Sequence, residues 1–192
     1  IRKISYEEIL EMSSLGSKVL HPRSVELAMK YGIKVKVKNT FSKSLGTFLT
    51  NEDKTMERAI VSGISSSEDD SKITLIGIPD TPGIASKIFA PLTAENINVD
   101  MIVQNITEDG KFTNLTFTVK KNEMQKSVDA LKNSNLNFRD IHVEPNICKL
   151  SIVGVGMKNN VGVAQKMFET LAKKKINIMV ISTSEIKISV LI

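Results

Sequence analysis

The turn Asp80-Thr81-Pro82-Gly83 carries residue types that could bind a small charged molecule. A segment with helical spacing follows it directly, and the first N–H groups of a helix lack partners within the helix and are partly positive. A carboxylate would therefore fit at this helix start, and Asp80 could bind an ammonium group. Pro82 presets the turn, and Gly83 would let the backbone approach a ligand closely. Taken alone, the same residues also fit an ordinary surface turn.

Other patterns that carry chemistry are not found in the sequence. His21 and His142 stand far apart without partners at ligand spacing, which argues against a metal site. Gly154-Val155-Gly156 is followed by Asn159, where a dinucleotide-binding pattern needs its third glycine. The sequence contains neither a Gly-x-x-x-x-Gly-Lys-Ser/Thr phosphate loop nor a visible Ser–His–Asp constellation.

The composition is that of an ordinary globular protein. The chain has 192 residues, of which 41% are hydrophobic and 24% are charged, and its net charge is +5. This mild charge does not by itself indicate nucleic-acid binding. No run approaches the roughly 18 apolar residues of a membrane-spanning helix, so we expect no membrane partner. A single cysteine cannot form an internal disulfide, and we expect a cytoplasmic protein.

The first fifty residues predict a small α/β segment. Ser5 and Glu8 have the spacing of a capping box, and apolar residues at helical spacing follow them. A second helix is predicted from Pro22 to Tyr31, and strict alternation over residues 33–38 predicts a strand. Residues 42–58 are polar without clear periodicity, which predicts a linker and a domain boundary.

An internal repeat follows this linker. Residues 84–99 align without gaps with residues 163–178, and six of the sixteen positions are identical. Each copy starts with an apolar strand, at residues 73–78 and 150–155, and reaches its second strand at residues 97–103 and 176–181. The first copy continues through further elements to give the order βαββαβ, a ferredoxin-like unit. We expect the second copy to stop before its last helix.

Each copy of the repeat has the order strand, turn and helix, and in the first copy the helix is followed by Asn-Ile-Asn-Val-Asp at residues 96–100. This pattern resembles an ACT domain, an amino-acid-sensing module of biosynthetic enzymes. Two such modules that end in the segment 181–190 resemble the regulatory part of aspartate kinase. Residues 17–26 resemble the last part of that enzyme's catalytic domain. The resemblance covers essentially the whole chain.

This resemblance implies an α+β fold with tandem ferredoxin-like ACT domains after a short α/β remnant of the amino-acid kinase domain. The implied boundaries are 1–50 for the kinase remnant, 51–71 for a linker with the first regulatory strand, 72–145 for the first ACT domain and 146–192 for a truncated second one. Members of the family phosphorylate L-aspartate with MgATP, which is the first step in the synthesis of lysine, threonine and methionine. Its catalytic Lys-x-Gly-Gly motif is not in these residues, so we expect an effector-binding fragment without cofactor or turnover.

The resemblance also implies two effector sites between the ACT domains of a homodimer. The first, for L-threonine, combines the turn with the second copy of the partner and comprises Asp80, Gly83, Ala85, Gln104, Asn177 and Ile178. Gln104 would contact the polar side chain of the ligand, because an amide both donates and accepts. The second, for L-lysine, comprises Asn98, Val99, Asp100, Val163, Ala164, Ser184 and Glu185.

A carboxylate such as Asp100 or Glu185 is what the ammonium group of a lysine needs. Val161 stands where the family commonly has proline, which would loosen the turn at this second site. Lys18 and Val19 would touch the nucleotide in the complete enzyme, although packing without function accounts for them equally well. No metal ligand is predicted, and the catalytic domain or a catalytic subunit is the expected protein partner.

Two alternatives remain open at the level of the sequence. Ferredoxin-like units also bind RNA, but they then carry aromatic side chains on the middle strands, and residues 97–103 and 112–119 lack that pattern. A stand-alone ACT sensor of another biosynthetic enzyme would share the repeat. The kinase-like segment 17–26 argues against this second alternative.

Overall fold

The structure, a computed structural model, describes residues 1–52, 60–108 and 110–192. The chain divides into two units, one formed by residues 1–67 together with 149–192 and the other by residues 68–148. The sequence predicts a different grouping, because it assigns each stretch to its neighbours along the chain. In the structure, the N-terminal stretch and the second copy of the repeat share one unit.

The N-terminal stretch forms a three-stranded sheet with two helices, followed by a separate strand. Its elements are β1 (Lys3–Ser5), α1 (Tyr6–Ser14), α2 (Pro22–Lys30), β2 (Val35–Val37), β3 (Thr47–Thr50) and the separate β4 (Gly63–Ser67). The strand order is β1-β3-β2. The capping box is confirmed: Glu8 N donates to Ser5 Oγ, and Ser5 N donates to a Glu8 carboxylate oxygen, each at 3.0 Å.

Strand β3 lies inside the stretch 42–58, for which the sequence predicts a linker, so that prediction is wrong for residues 47–50. The strand is too short to show a clear period of two. It is held by pairing with both β1 and β2, and its Leu49 is buried. Residues 53–59 of the predicted linker lie outside the described residues.

The first copy of the repeat forms a four-stranded antiparallel sheet with the predicted order βαββαβ. Its elements are β5 (Asp70–Pro79), α3 (Ile84–Ala94), β6 (Asp100–Ile106), β7 (Phe112–Lys120), α4 (Met124–Lys132) and β8 (Asp140–Glu144). The strand order is β6-β7-β5-β8. Ile88 and Leu92 of α3 and Leu131 of α4 are buried in one cluster with residues of β5 and β7. Burial of each such side chain stabilises the unit by about 1.5–3 kcal/mol.

The second copy builds the same sheet with one borrowed strand. Its own elements are β9 (Lys149–Val153), α5 (Val163–Lys173), β10 (Val180–Thr183) and β11 (Lys187–Leu191). The order β10-β11-β9-β4 matches that of the first sheet, with β4 in the place of β8. Strand β4 pairs antiparallel with β9, and Ser65 lies opposite Ser151.

The second strand of each copy begins later than the sequence predicts. Strand β6 begins at Asp100 and not at Ile97, and β10 begins at Val180 and not at Ile176. The reason is a turn that closes the preceding helix. Asn96 and Lys175 have φ of 57° and 58°, and the next residue in each copy donates its N–H to a leucine carbonyl of the helix. Residues 98–99 and 177–178 therefore lie in loops.

Helix α1 packs on the sheet of the second copy, within the same unit. Ser65 Oγ donates to the carbonyl of Leu15 at 2.9 Å, and Glu11 pairs with Lys187 at 3.0 Å. A Cβ at Gly63 would lie 2.5 Å from the end of the Met12 side chain, so the glycine makes room for this helix. The N-terminal helix α1 is thus packed against the second sheet by hydrogen bonding and an ion pair.

Candidate functional site

The predicted turn forms an open pocket in the unit of residues 68–148. Its volume is about 370 Å³, and its lining residues are Asp80, Thr81, Pro82, Gly83, Ile84, Ala85 and Gln104. Four of the predicted site residues, Asp80, Gly83, Ala85 and Gln104, are therefore brought together. Thr81 and Ile84 also line the pocket. The sequence could have indicated them, because they belong to the turn motif or follow it directly.

The turn is fixed at both ends by backbone hydrogen bonds. Asp80 N donates to the carbonyl of Lys111 at 2.9 Å, and Ile84 N donates to the carbonyl of Thr81 at 3.1 Å. Gly83 has φ of +85°, a left-handed conformation that favours glycine. A Cβ at this position would meet no atom within 4 Å. The glycine is therefore needed for the backbone conformation, and close packing of the protein around it is not the reason.

Helix α3 begins at this turn without a side-chain cap. The N–H groups of a first helical turn lack intrahelical acceptors, and the helix dipole adds partial positive charge there. The Asp80 carboxylate lines the same pocket, and Gln104 contributes an exposed amide from β6. The pocket thus combines a place for an anion, a carboxylate for a cation and a group that both donates and accepts.

Helix α5 begins in the same way in the second copy. Gly162 has φ of +90°, no side chain caps the helix, and a Cβ would again meet nothing within 4 Å. The preceding residues form a 3₁₀ turn, Val155–Asn159, which Asn160 closes by donating from Nδ2 to the carbonyl of Gly156 at 2.7 Å. Val161, in the position predicted to loosen the turn, is fully exposed.

The remaining residues of the predicted threonine site lie in the other unit. Asn177 is exposed, and Ile178 packs against the core between α5 and the second sheet. Both follow α5 in the loop that corresponds to residues 98–99 of the first copy. That they complete the pocket across a dimer stays a prediction.

The predicted lysine site is likewise divided between the two units. Asn98 and Asp100 are exposed and Val99 packs against the first core, whereas the other four residues, Val163, Ala164, Ser184 and Glu185, belong to the second copy. Glu185 has a cationic neighbour in its own unit, because Lys158 Nζ lies 3.8 Å from one of its carboxylate oxygens. A lysine ligand would have to compete with Lys158 for this carboxylate.

Two further pockets contain residues that the sequence did not indicate. One, of about 520 Å³, is lined by Gly77, Thr107, Glu108, Phe112, Asn114 and Arg139. The other, of about 580 Å³, lies between α5, β4 and β9, is mainly apolar and includes Val163 of the predicted lysine site. A positive φ at Gly77, inside a strand, marks the first of them, but it depends on a bulge that the sequence does not show.

Cys148 and the exposed Lys18 lie outside these pockets. Burial, with a smaller contribution from the charge of Glu68, raises the pKa of the Cys148 thiol and so favours its protonated form. Lys18 and Val19 are exposed in the connection between α1 and α2, and their contact with a nucleotide stays a prediction.

Within the described ranges, no three His, Cys, Asp or Glu side chains gather as a metal-ligand group. The described helices are all too short or too polar to cross a membrane.

Comparison with known proteins defines the class and then the family. The model of the ACT-domain family matches residues 73–134 and 150–192, which are the two copies of the repeat. Aspartate kinase of Pseudomonas putida (strain KT2440) is 50% identical over 195 residues, with 100% of this chain and 47% of that protein covered. The structure of the regulatory subunit of aspartate kinase from Thermus flavus has a TM-score of 0.63 and 41% identity, with 68% of this chain and 87% of that chain covered.

The aspartate kinase of Clostridium acetobutylicum shares the fold over the whole chain, with a TM-score of 0.85 at 24% identity, and 45% of that protein is covered. The chain spans about half the length of the aspartate kinases it matches in sequence. It belongs to the aspartokinase family and represents the regulatory part that carries the ACT domains.

Proposed function

We propose that this chain is the amino-acid sensor of an aspartate kinase and that L-threonine binds in the pocket at the start of α3. The observation that carries the proposal is the shared pocket of Asp80, the uncapped helix start at Gly83 and Gln104. L-lysine is the proposed ligand of the second site, at the start of α5. Feedback inhibition of the complete enzyme is the proposed outcome.

The chemistry of the pocket suits an α-amino acid. The carboxylate of the ligand would accept hydrogen bonds from first-turn N–H groups of α3, where the helix dipole favours an anion. Its ammonium group would pair with Asp80, and Gln104 would bond the threonine hydroxyl as donor or acceptor. A ligand without a side-chain hydroxyl, such as L-alanine, would leave Gln104 without that hydrogen bond and should bind more weakly.

A homodimer is part of the proposal, because the predicted site combines the first copy of the repeat in one chain with the second copy of the repeat in the partner chain. Asn177 and Ile178 of the partner would close the open side of the pocket and remove the ligand from water. Ligand binding would then stabilise one arrangement of the dimer. It can shift the equilibrium only by its difference in affinity between the two arrangements.

The reaction proposed for the complete enzyme is the transfer of a phosphoryl group from ATP to L-aspartate, which gives 4-phospho-L-aspartate. The 192 residues contain no glycine-rich phosphate loop, and Lys18 and Val19 alone do not form a nucleotide site. The contribution of this chain would be regulation of a catalytic domain or subunit.

Calorimetric titration of the chain with L-threonine and L-lysine tests the proposal, with L-aspartate and L-alanine as control ligands. We expect saturable binding of threonine that Asp80→Ala weakens at least ten-fold, since a charge-assisted hydrogen bond contributes about 1.5–3 kcal/mol. Asn177→Ala should weaken it as well, through the partner. Asp129→Ala, which removes an exposed carboxylate on α4, is the matched control and should leave the affinity unchanged. Equal affinities in the Asp80 and Asp129 variants would contradict the assignment of this pocket.

A further inference from the structure

Glu8, in the first turn of α1, is a buried carboxylate with more partners than a capping box needs. It is 1% exposed. One carboxylate oxygen, Oε2, accepts from Ser5 N at 3.0 Å and Ser5 Oγ at 3.2 Å. The other, Oε1, accepts from Ser62 Oγ at 2.6 Å and from Val155 N at 2.9 Å. The first pair belongs to the cap of α1, whereas the second joins two distant parts of the same unit.

The arrangement requires a carboxylate and would not accept an amide. A glutamine can serve in a capping box, because its oxygen accepts from the Ser5 N–H. Its NH₂ group would then face the N–H of Val155, and two donors cannot bond each other. With the amide reversed, the conflict moves to Ser5. Only the two acceptor oxygens of Glu8 satisfy both backbone N–H groups, and both sites are buried, where a missing partner is costly.

The two partners beyond the cap connect α1 to the segment that precedes α5. Val155 begins the 3₁₀ turn that leads, through Asn160 and Gly162, to the uncapped start of α5. We call residues 154–162 the α5 loop. Lys158 of this loop lies between Glu52 and Glu185, at 3.7 Å and 3.8 Å. The loop therefore joins the proposed second ligand site at one end and the buried Glu8 at the other.

We propose that Glu8 couples the α5 loop to α1, so that a change of conformation in the loop is transmitted to the N-terminal sheet and helices. The hydrogen bond from Val155 tolerates only a few tenths of an ångström of displacement before it weakens. A movement of the loop must therefore either carry Glu8 and α1 with it or break a bond to a buried carboxylate. The role of an amino acid as the trigger rests on the proposed function, whereas the coupling itself does not.

Hydrogen–deuterium exchange of the whole chain tests this coupling without any ligand. Asn160→Ala removes the hydrogen bond that closes the α5 loop, and exchange is measured in peptides that cover α1, residues 6–14. With Glu8 present, we expect the loop variant to raise exchange in α1 at least two-fold. In a Glu8→Gln background, α1 should already exchange about five-fold faster, and Asn160→Ala should add nothing.

The control and the second background keep the test decisive. Glu7→Gln changes the exposed neighbour of Glu8 and should leave the transmitted effect intact. If Glu8→Gln does not fold, Glu8→Asp is the uncoupled background, since its shorter side chain keeps the charge but cannot reach Ser5 and Val155 together. An unchanged α1 in the loop variant, or an equal rise with and without Glu8, would overturn the coupling.

L-lysine at saturating concentration provides a second arm. It should lower exchange in α1 of the wild-type chain and leave α1 of the Glu8→Gln chain unchanged, and an equal decrease in both chains would also overturn the coupling. Failure of lysine and threonine to bind the wild-type chain counts against the proposed function alone, because the Asn160→Ala arm still decides the coupling.

Discussion

Gly83 tests the geometry of the pocket, because its backbone conformation and the space around it have separate effects on the stability of a substituted chain. Its φ of +85° lies in the left-handed region, where an ordinary residue loses roughly 1–2 kcal/mol. No atom lies within 4 Å of a Cβ placed there, so no steric cost is added. Alanine also restricts the unfolded chain, which offsets up to about 1 kcal/mol. We expect Gly83→Ala to lower the free energy of unfolding by about 1 kcal/mol.

Two companion variants separate backbone strain from other causes. Gly162→Ala should cost the same, because Gly162 has φ of +90° and equally open surroundings. Gly83→Asn should cost about half as much, since asparagine tolerates the left-handed region better than alanine does. Gly46→Ala should cost more than either, because its Cβ would come within 2.2 Å of the carbonyl of Val37.

Urea unfolding followed by circular dichroism measures these differences, with the slope m as a check that the unfolding transition is unchanged. The same variants can be titrated with L-threonine. Gly83→Ala should weaken binding because the turn relaxes, whereas Gly162→Ala should not affect the first site. An asparagine at position 83 that costs as much as alanine would refute the argument from backbone conformation.

Three further predictions concern other parts of the chain. Because burial raises the pKa of Cys148, its thiol should react with a disulfide reagent more slowly in the folded chain at pH 8 than in urea, and equal rates would contradict the burial. The N–H of Ile141, with a smaller contribution from His142, lowers the pKa of Asp140, so an NMR titration should give a midpoint below the roughly 3.9 of a free aspartate. The contribution of Asp140 to stability is then present above pH of about 4 and is lost as pH falls through the lower folded value. Leu131→Ala, at a fully buried site on α4, should cost about 2–5 kcal/mol in urea unfolding, and a loss under 1 kcal/mol would show that α4 is loosely packed.

Much of the fold follows from local patterns in the sequence. The repeat is visible because the same apolar spacing recurs, and the capping box at Ser5 needs only contacts three residues apart. The starts of β6 and β10 could not be placed as well, because the apolar pattern continues through the turns at Asn96 and Lys175. A positive φ at a non-glycine residue has no strong sequence signal.

The candidate site shows the same limit. The turn of the first pocket is local, and the sequence predicts it together with Gln104 through the resemblance. The second role of Glu8 could not be predicted, because Val155 is distant in sequence and the contact exists only once α1 lies on the second sheet. The resemblance implies a regulatory strand within residues 51–71, whereas no local signal indicates that this strand, β4, completes a sheet whose other strands begin at Lys149.

The borrowed strand β4 has a consequence for folding during synthesis. It leaves the ribosome before the roughly eighty residues of the other unit, and its partner β9 leaves after them. The unit of residues 68–148 has all the strands of its own sheet within itself and can form before β9 is made, whereas β4 must wait with both edges unpaired. Once that unit is folded, it fixes the two ends of the long connection between β4 and β9. The entropic cost of pairing these two strands is then smaller than for an unfolded loop of the same length. Variants that slow folding of the first copy should therefore also delay the second, and during this delay the unpaired β4 is the segment most exposed to wrong pairing.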